Sequence, residues 1–177
     1  MIIGLSGYAQ SGKDEVAKIL IEEFGFERVA FADAIRNLLY EMNPNHHDTL
    51  LQQAVDRLGW DEVKKDPIVR RMLQNLGVGA RKLFGEKFWI KEALRGIPKE
   101  GNFVFTDVRF INEADIIKSN DGKVWRVRRE GVKAVNDHIS EHELDDYKFD
   151  QILKNEGSLD DLRELVRKRI TLSLDAN

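Results

Sequence analysis

An apolar run, Ile2-Ile3-Gly4-Leu5-Ser6, breaks into Gly7-Tyr8-Ala9-Gln10-Ser11-Gly12-Lys13-Asp14, after which Val16, Ile19, Leu20 and Phe24 recur at three- and four-residue spacing. A short apolar run bounded by glycine suits a buried strand, and the spacing that follows suits an amphipathic helix. Strand, glycine-rich turn and helix in immediate succession are the start of a βαβ unit, because parallel strands can be joined only through a crossover. This stretch therefore commits the chain to an α/β arrangement.

The rest of the sequence keeps that rhythm. Gly25 reads as a helix cap, Arg28 to Ala32 as a second strand and Ala34 to Met42 as a second helix. From Asn43 to Pro98 no strand pattern stands out. Leu50, Leu51, Ala54, Val55 and Leu58, then Val69, Met72, Leu73 and Leu76, repeat at helical spacing, as a helical insertion would. Pro98-Lys99-Glu100-Gly101 signals a turn, Phe103 to Thr106 a strand ending on Asp107, and Asn112 to Lys118 a helix. After the turn Asn120-Asp121-Gly122 comes the alternating run Lys123 to Arg129. Glu130 to Asp146 is polar and without period. Phe149 to Leu153 reads as a last strand, and Leu159 to Leu172 as a last helix capped by Ser158. The expected architecture is one α/β domain over residues 1–177, a mainly parallel sheet with helices on both faces.

Composition narrows the partners. Twenty-eight Lys plus Arg against 31 Asp plus Glu give a formal charge of -3, which argues against nucleic acid polymer as a partner. The absence of cysteine excludes disulfides, thiolate zinc sites and cysteine nucleophiles. No apolar run approaches the length of a membrane span and no secretory signal pattern opens the chain, so a cytoplasmic protein without membrane attachment is expected.

Gly7 to Lys13 satisfies G-x-x-x-x-G-K, with Asp14 where Ser or Thr is usual. At average glycine usage such a pattern arises by chance in about one chain in twenty of this length, so its context decides. Here an apolar strand precedes it and an amphipathic helix follows, as phosphate cradling requires. Glycines let successive backbone N–H groups turn inward around phosphate oxygens, and Lys13 adds positive charge beside the β and γ phosphates. Lys13 as an ordinary first-turn residue would oppose the helix dipole. Asp14 reads either as a Mg²⁺ ligand through water or as plain helix-start stabilisation.

Other groups are candidates. Asp107 stands where a parallel strand ends, the edge at which ligands bind, as a Mg²⁺-water ligand, an acceptor-side base or a turn residue. Asp33 reads as a contact to metal waters or acceptor, or as an N-cap. Arg70, Arg71 and Arg81 in the insertion, and Arg126, Arg128 and Arg129 before the polar stretch, suit phosphate binding, although alternation puts Arg126 and Arg128 on one face and Arg129 on the other. Gln74 has paired donor and acceptor groups for a base edge, or is a solvated polar residue. Trp89 is a stacking face or a core anchor. His46-His47 and His138 with His142 invite a metal reading, but no third ligand is evident and structural zinc is not expected.

These residues resemble the bacteriophage deoxynucleoside monophosphate kinases, a branch of the P-loop kinases that includes adenylate and guanylate kinase-like enzymes. The marks are Gly12-Lys13-Asp14, Phe31-Ala32-Asp33, Arg71-Met72-Leu73-Gln74-Asn75-Leu76-Gly77, Trp89, Thr106-Asp107-Val108-Arg109 and Asn112-Glu113-Ala114. Val124 to Val127 leading to Arg129, His138-Ile139-Ser140-Glu141, Phe149-Asp150 and Asn155-Glu156-Gly157-Ser158 continue them. Glu15 replaces a frequent Thr, and Glu130 a frequent Pro. The resemblance implies a P-loop kinase fold, an acceptor-binding helical region over 43–98, and a lid over 130–148 carrying His138, Ser140 and Glu141, with Arg126 and Arg128 at its root. Adenine is implied near Asn155 and Gly157.

The expected reaction is transfer of the ATP γ-phosphoryl group to a nucleoside monophosphate, with Mg²⁺. Gly7, Ala9, Gln10, Ser11, Gly12, Lys13 and Asp14 would hold the donor, and Lys13, Arg129 and Asp107 would serve the transfer. Asp33, Arg36, Arg70, Arg71, Gln74, Arg81, Trp89 and Arg109 would hold the acceptor. A phosphomevalonate or dephospho-coenzyme A kinase is the alternative within kinases. A nucleotide-dependent binding module is the alternative outside them, disfavoured by the lack of the guanine-reading Asn-Lys-x-Asp. Association as a homodimer is left open.

Overall fold

The computed structural model describes residues 1–95, 97–98, 100–135 and 137–174. Lys99 of the expected turn and Asn136 of the polar stretch lie outside the described residues, as do Gly96 and 175–177. The chain divides into two compact units: Met1–Ala30 with Pro98–Asn177, and Phe31–Ile97.

The first unit opens with β1 (Ile2–Ser6), α1 (Lys13–Phe24) and β2 (Glu27–Val29). The second holds α2 (Phe31–Met42), a small antiparallel hairpin of β3 (Asn45–His46) and β4 (Thr49–Leu50), then α3 (Leu51–Leu58), α4 (Trp60–Val63), α5 (Pro67–Phe84) and α6 (Phe88–Leu94). The first unit resumes with β5 (Phe103–Phe105), α7 (Ile111–Ser119), β6 (Lys123–Arg128), α8 (Ile139–His142), β7 (Gln151–Lys154) and α9 (Leu159–Leu174).

The first unit is built on a five-stranded sheet in the order β2-β5-β1-β6-β7, every pair parallel. Alternation along β1 assigns the layers. Ile3 and Leu5 point into a core with Val16, Ile19 and Leu20 of α1, Leu162, Val166 and Ile170 of α9, and Trp125, Val127 and Leu153. Burying each such aliphatic side chain contributes roughly 1.5–3 kcal/mol. Gly4, between them, faces the other way, where a side chain would stand 2.6 Å from Ile117 Cδ1 of α7. Helices thus cover both faces, as expected from the sequence.

The second strand is shorter than expected, and α2 starts at Phe31. The partner strand β5 offers only three residues, pairing Glu27 with Phe103 and Val29 with Phe105, so the ladder stops at Val29. Asp33 consequently lies in the first turn of α2 rather than at a strand end. The polar stretch after β6 also differs, since it contains α8, begun by His138, whose side chain accepts from the Ser140 N–H.

In the helical unit most of the expected periodic residues form one core, Leu51, Ala54, Val55 and Val69 with Leu39 and Val63, packed by Met72, Leu73 and Leu76, whereas Leu50 and Leu58, expected on the same stripe, are exposed. The β3–β4 hairpin was not foreseen, because strands of two residues are too short to show a period. Among the described residues no helix is long and apolar enough to cross a membrane.

Candidate active site

The loop between β1 and α1 is wound by residues with positive φ: Gly7 at 144°, Gln10 at 66° and Gly12 at 102°. Such alternation turns successive N–H groups into a concave nest that suits anions. The Ser11 N–H donates to the Tyr8 carbonyl at 3.2 Å, and Gly12 starts α1 by accepting from Val16 at 3.0 Å. Ser11 is 2% exposed, and its hydroxyl, buried in the nest, has no hydrogen-bond partner among the described residues. Ala9 and Gln10 face solvent at the rim.

Gly12 is required for a second reason. A side chain there would collide with the Asn155 amide, which donates from Nδ2 to the Ser11 carbonyl at 3.0 Å. Asn155, following β7, is buried and braces the loop from behind. Gly157 is exposed two residues on, beside Ser158, whose N–H and hydroxyl donate to Asp161 and whose hydroxyl accepts from the Asp161 N–H at 3.2 Å. The Ser158 cap is therefore present.

Lys13 curls back over the loop, donating from Nζ to the Tyr8 carbonyl at 2.9 Å. Burial, then the positive charge of Arg109, pull its pKa from 10.5 down to about 8. Asp14 and Glu15 lie in the first turn of α1, Asp14 exposed.

A cleft forms along Ser6 to Ala9 at the carboxyl end of the sheet, walled by Arg109, Arg126, Ser140 and Glu141. Arg126, on central strand β6, is 5% exposed. Its guanidinium lies 4.8 Å over the Tyr8 ring, donates to Ser6 Oγ at 3.3 Å and pairs with Asp145 at 2.9 Å. Arg109 pairs with Glu141 of α8 at 2.7 Å. The backbone at Arg109 and Phe110 is fixed by Glu113, whose Oε2 accepts both N–H groups at 2.8 and 3.1 Å. Asp107 is half-buried after β5 and does not line the cleft itself, whereas the next residue, Val108, does, its N–H donating to the Leu5 carbonyl at 3.1 Å and tying this turn to β1.

Three carboxylates hold the stretch around α8 in place. Besides Glu141 and Asp145, Glu143 accepts from the Ile111 N–H at 2.9 Å. For Asp145, burial would raise the pKa, but hydrogen bonds from Tyr8, His142 and Arg126 outweigh it and the net direction is down. Tyr8 moves up in turn, through burial and its bond to Asp145. Neither Tyr8 nor Asp145 stood out in the sequence, since nothing in an aperiodic polar stretch marks one aspartate among several.

Not every expected arginine joins this cleft. Arg128 shares the face of Arg126 by alternation yet ends β6 exposed, and Arg129 is exposed beyond it. His138 meets Ser140 Oγ at 2.8 Å, and His142 meets Asp145 at 3.0 Å.

In the helical unit, Asp33 and Arg36 are one turn apart on α2 and pair at 3.0 Å. Arg70, Arg71, Gln74 and Arg81 all lie on α5, Arg70 and Arg71 exposed, with Arg71 and Gln74 three apart and hence on one side. Trp89 is a core anchor and not a stacking face. It is 5% exposed, its Nε1 donates to the Gly77 carbonyl at 2.9 Å, and Phe88 packs edge-on at 4.8 Å. The acidic group that joins His46 and His47 is Asp66, the N-cap of α5, which the sequence did not mark beside them. The Asp-Pro pair marks that cap, but nothing in the sequence ties it to a hairpin twenty residues earlier.

The family profile described as "Deoxynucleotide monophosphate kinase" matches residues 52–166. A putative deoxynucleotide monophosphate kinase of Acanthamoeba polyphaga mimivirus is 29% identical over 91% of this chain and 91% of its own. The deoxynucleotide monophosphate kinase of Escherichia phage RB69 is 30% identical over 56% of this chain and 43% of its own. Among solved structures, shikimate kinase from Aquifex aeolicus aligns with a TM-score of 0.49 at 14% identity, covering 100% of this chain and 98% of that one. Dephospho-CoA kinase from Campylobacter jejuni aligns with a TM-score of 0.48 at 15% identity, covering 96% and 95%. With its match to the family running over more than half its length, the chain belongs to the deoxynucleotide monophosphate kinases, which are phosphotransferases.

Proposed function

We propose that the chain transfers the γ-phosphoryl group of ATP to a deoxynucleoside monophosphate. The observation that carries this reading is the desolvated Lys13 ammonium folded over a nest of backbone N–H groups, with Arg109 near enough to depress its pKa and Arg126 on the same cleft. Three cations thus meet at one loop, two of them held by the carboxylates Glu141 and Asp145, and a polyanion can take the place of those carboxylates. The buried, unpartnered Ser11 hydroxyl in the same nest fits phosphate oxygens as acceptors.

In this reading Gly7, Ala9, Gln10, Ser11, Gly12 and Lys13 hold the donor phosphates, Asn155 braces the loop, and Gly157 borders the adenine. Phosphoryl transfer leaves little covalent work for a protein, so catalysis comes from charge and position. Lys13 neutralises the donor oxygens, Arg109 and Arg126 take up charge on the transferring group, and Arg129, exposed outside the cleft, reaches it only when the lid closes. Asp14 and Asp107 are assigned to magnesium through water, since hard oxygen donors suit that ion. Bound magnesium supplies charge neutralisation at the donor phosphates.

Residues 130–148 act as the lid, with His138 capping α8 and Ser140 and Glu141 bordering the cleft. Substrate phosphate competes with Glu141 and Asp145 for Arg109 and Arg126, which couples substrate arrival to rearrangement of the lid. The helical unit takes the acceptor. Arg71 holds its phosphate with Arg70, Arg81 and Arg36, Asp33 orients Arg36, and Gln74 reads the base edge.

The test is ADP release from ATP in the presence of each nucleoside monophosphate in its deoxy and ribo forms. Turnover with at least one deoxynucleoside monophosphate is expected. Turnover only with phosphomevalonate or dephospho-coenzyme A would overturn the acceptor assignment while leaving the donor site standing.

A further inference from the structure

The β3–β4 hairpin and the start of α5 bring three metal-ligating groups together in the helical unit, among residues to which the phosphate chemistry gives no task. His46 Nε2 lies 3.2 Å and His47 Nε2 2.7 Å from the same oxygen, Asp66 Oδ2. All three ligand atoms fall within 4.8 Å of one another.

The local fold aims these groups. Adjacent strand residues send their side chains to opposite faces, but His47 leaves β3 with φ 52°, in the left-handed region, and the two rings lie with centroids 4.6 Å apart. Thr49 closes the hairpin, its hydroxyl donating to the His46 carbonyl at 3.3 Å. Asp66 is held from the other side. Its Oδ1 caps α5 by accepting from the Ile68 N–H at 2.7 Å, which leaves Oδ2 turned to the imidazoles. Both carboxylate oxygens are thus engaged, Oδ1 by the helix start and Oδ2 by the two imidazoles. The His46 side chain is 12% exposed and that of Asp66 21%, whereas that of His47 is 58% exposed, which leaves the cluster open to solvent on one side.

We propose that His46 Nε2, His47 Nε2 and Asp66 Oδ2 form a binding site for a divalent transition-metal ion of the Zn²⁺ class, with solvent in the fourth position. Two imidazoles and one carboxylate are a zinc-type donor set, whereas Mg²⁺ and Ca²⁺ select oxygen alone. Ligands about 2.0 to 2.2 Å from a tetrahedral zinc stand about 3.3 Å from each other. The His46–Asp66 separation already matches, the His47–Asp66 contact has to open by about 0.6 Å, and the two imidazole nitrogens, which lie within 4.8 Å of each other, have to close by up to about 1.5 Å. Each imidazole ligates in its neutral form with the proton on Nδ1, so the ion replaces the two histidine–aspartate hydrogen bonds without displacing the α5 cap on Oδ1. Occupancy ties the hairpin to the first turn of α5, where the Arg70 N–H bonds to the Asp66 carbonyl at 2.9 Å. The site stands independently of the kinase assignment.

The full chain, freed of nucleotide and chelator, is titrated near neutral pH with Co²⁺ and with Zn²⁺. One ion per chain is expected, with the intense visible absorption of tetrahedral Co²⁺ that Zn²⁺ then abolishes. The double variant His46→Gln/His47→Gln is expected to weaken Zn²⁺ binding about 100-fold or more, the scale on which even outer-shell changes act. The double variant His138→Gln/His142→Gln is expected to bind as the parent does. Asp66→Asn separates ligand from cap, since Asn caps helices as well as Asp does, and should lose the ion while keeping the helical circular dichroism of the parent. Parent binding no tighter than that of the His46/His47 variant, loss of binding in the His138/His142 variant, or full affinity in Asp66→Asn would each overturn the site.

Discussion

Asp145 Oδ1 accepts from both Arg126 Nη2, at 2.9 Å, and the Tyr8 hydroxyl, at 2.8 Å, so one oxygen joins the polar stretch after β6 to the central strand and to the loop between β1 and α1. Its second oxygen meets His142 Nδ1 at 3.0 Å. The buried guanidinium is thus neutralised by a carboxylate from the segment proposed to move.

Asp145→Ala removes three partners at once. Because the carboxylate is about one-third exposed, the expected loss is about 1–2 kcal/mol, less than for a fully buried pair, read from urea midpoints at constant m. The folded pKa of Asp145 is lowered from 3.8, so its contribution is full above that value and is lost as pH falls through the folded pKa. The gap between parent and variant should close in that acid window; a constant gap would make the loss one of packing.

Lys13→Met should lower kcat by about 10²–10³, the scale of removing one charge-stabilising donor. It should not destabilise the free protein, because burial already disfavours the ammonium. The folded pKa is about 8 against 10.5, so the unfolded chain holds the proton more tightly and stability rises between those values as pH climbs. The variant should lack that rise. Nucleotide binding near pH 8 should also take up a proton in the parent and not in the variant, measured by calorimetry in buffers of different ionisation enthalpy.

Asn155→Ala leaves the Ser11 carbonyl without its side-chain donor and opens space against Gly12. The expected cost is about 1–2 kcal/mol of stability, with a raised KM for ATP and an unchanged KM for the acceptor. A rise in both would mean that the loop brace is not specific to the donor site.

On α5, Arg71→Ala should raise KM for every accepted monophosphate, while Gln74→Ala should alter the ranking among bases. Trp89→Phe serves as the contrast. It removes the bond to the Gly77 carbonyl and part of a buried ring, so about 2–3 kcal/mol of stability should go with the base ranking intact. A changed ranking in Trp89→Phe would place the ring in the acceptor site after all.

Much of this molecule is local and therefore legible from residue order. The β1–loop–α1 unit declares itself because strand, glycines and amphipathic helix are contiguous, and the Gly25 cap and Ser158 cap follow from chemistry within a few residues. The helical core around Leu51, Val55 and Val69 follows from period alone. The start of α2 was misplaced because Phe31 and Ala32 suit a strand as well as a helix, and the three-residue partner β5 decided between them.

The amino-acid sequence alone determined the parallel α/β class, the glycine-wound loop with its lysine, and the residues available to surround it, since each rests on spacing within one turn or one strand. Which of those residues meet was decided only by tertiary structure. Arg126 finds Asp145 and Tyr8, Asn155 finds Ser11, and His46 and His47 find Asp66 across separations of 19 to 144 residues. Such pairings carry no period and no motif, because they follow from strand order and helix placement, which are set by packing of the whole chain.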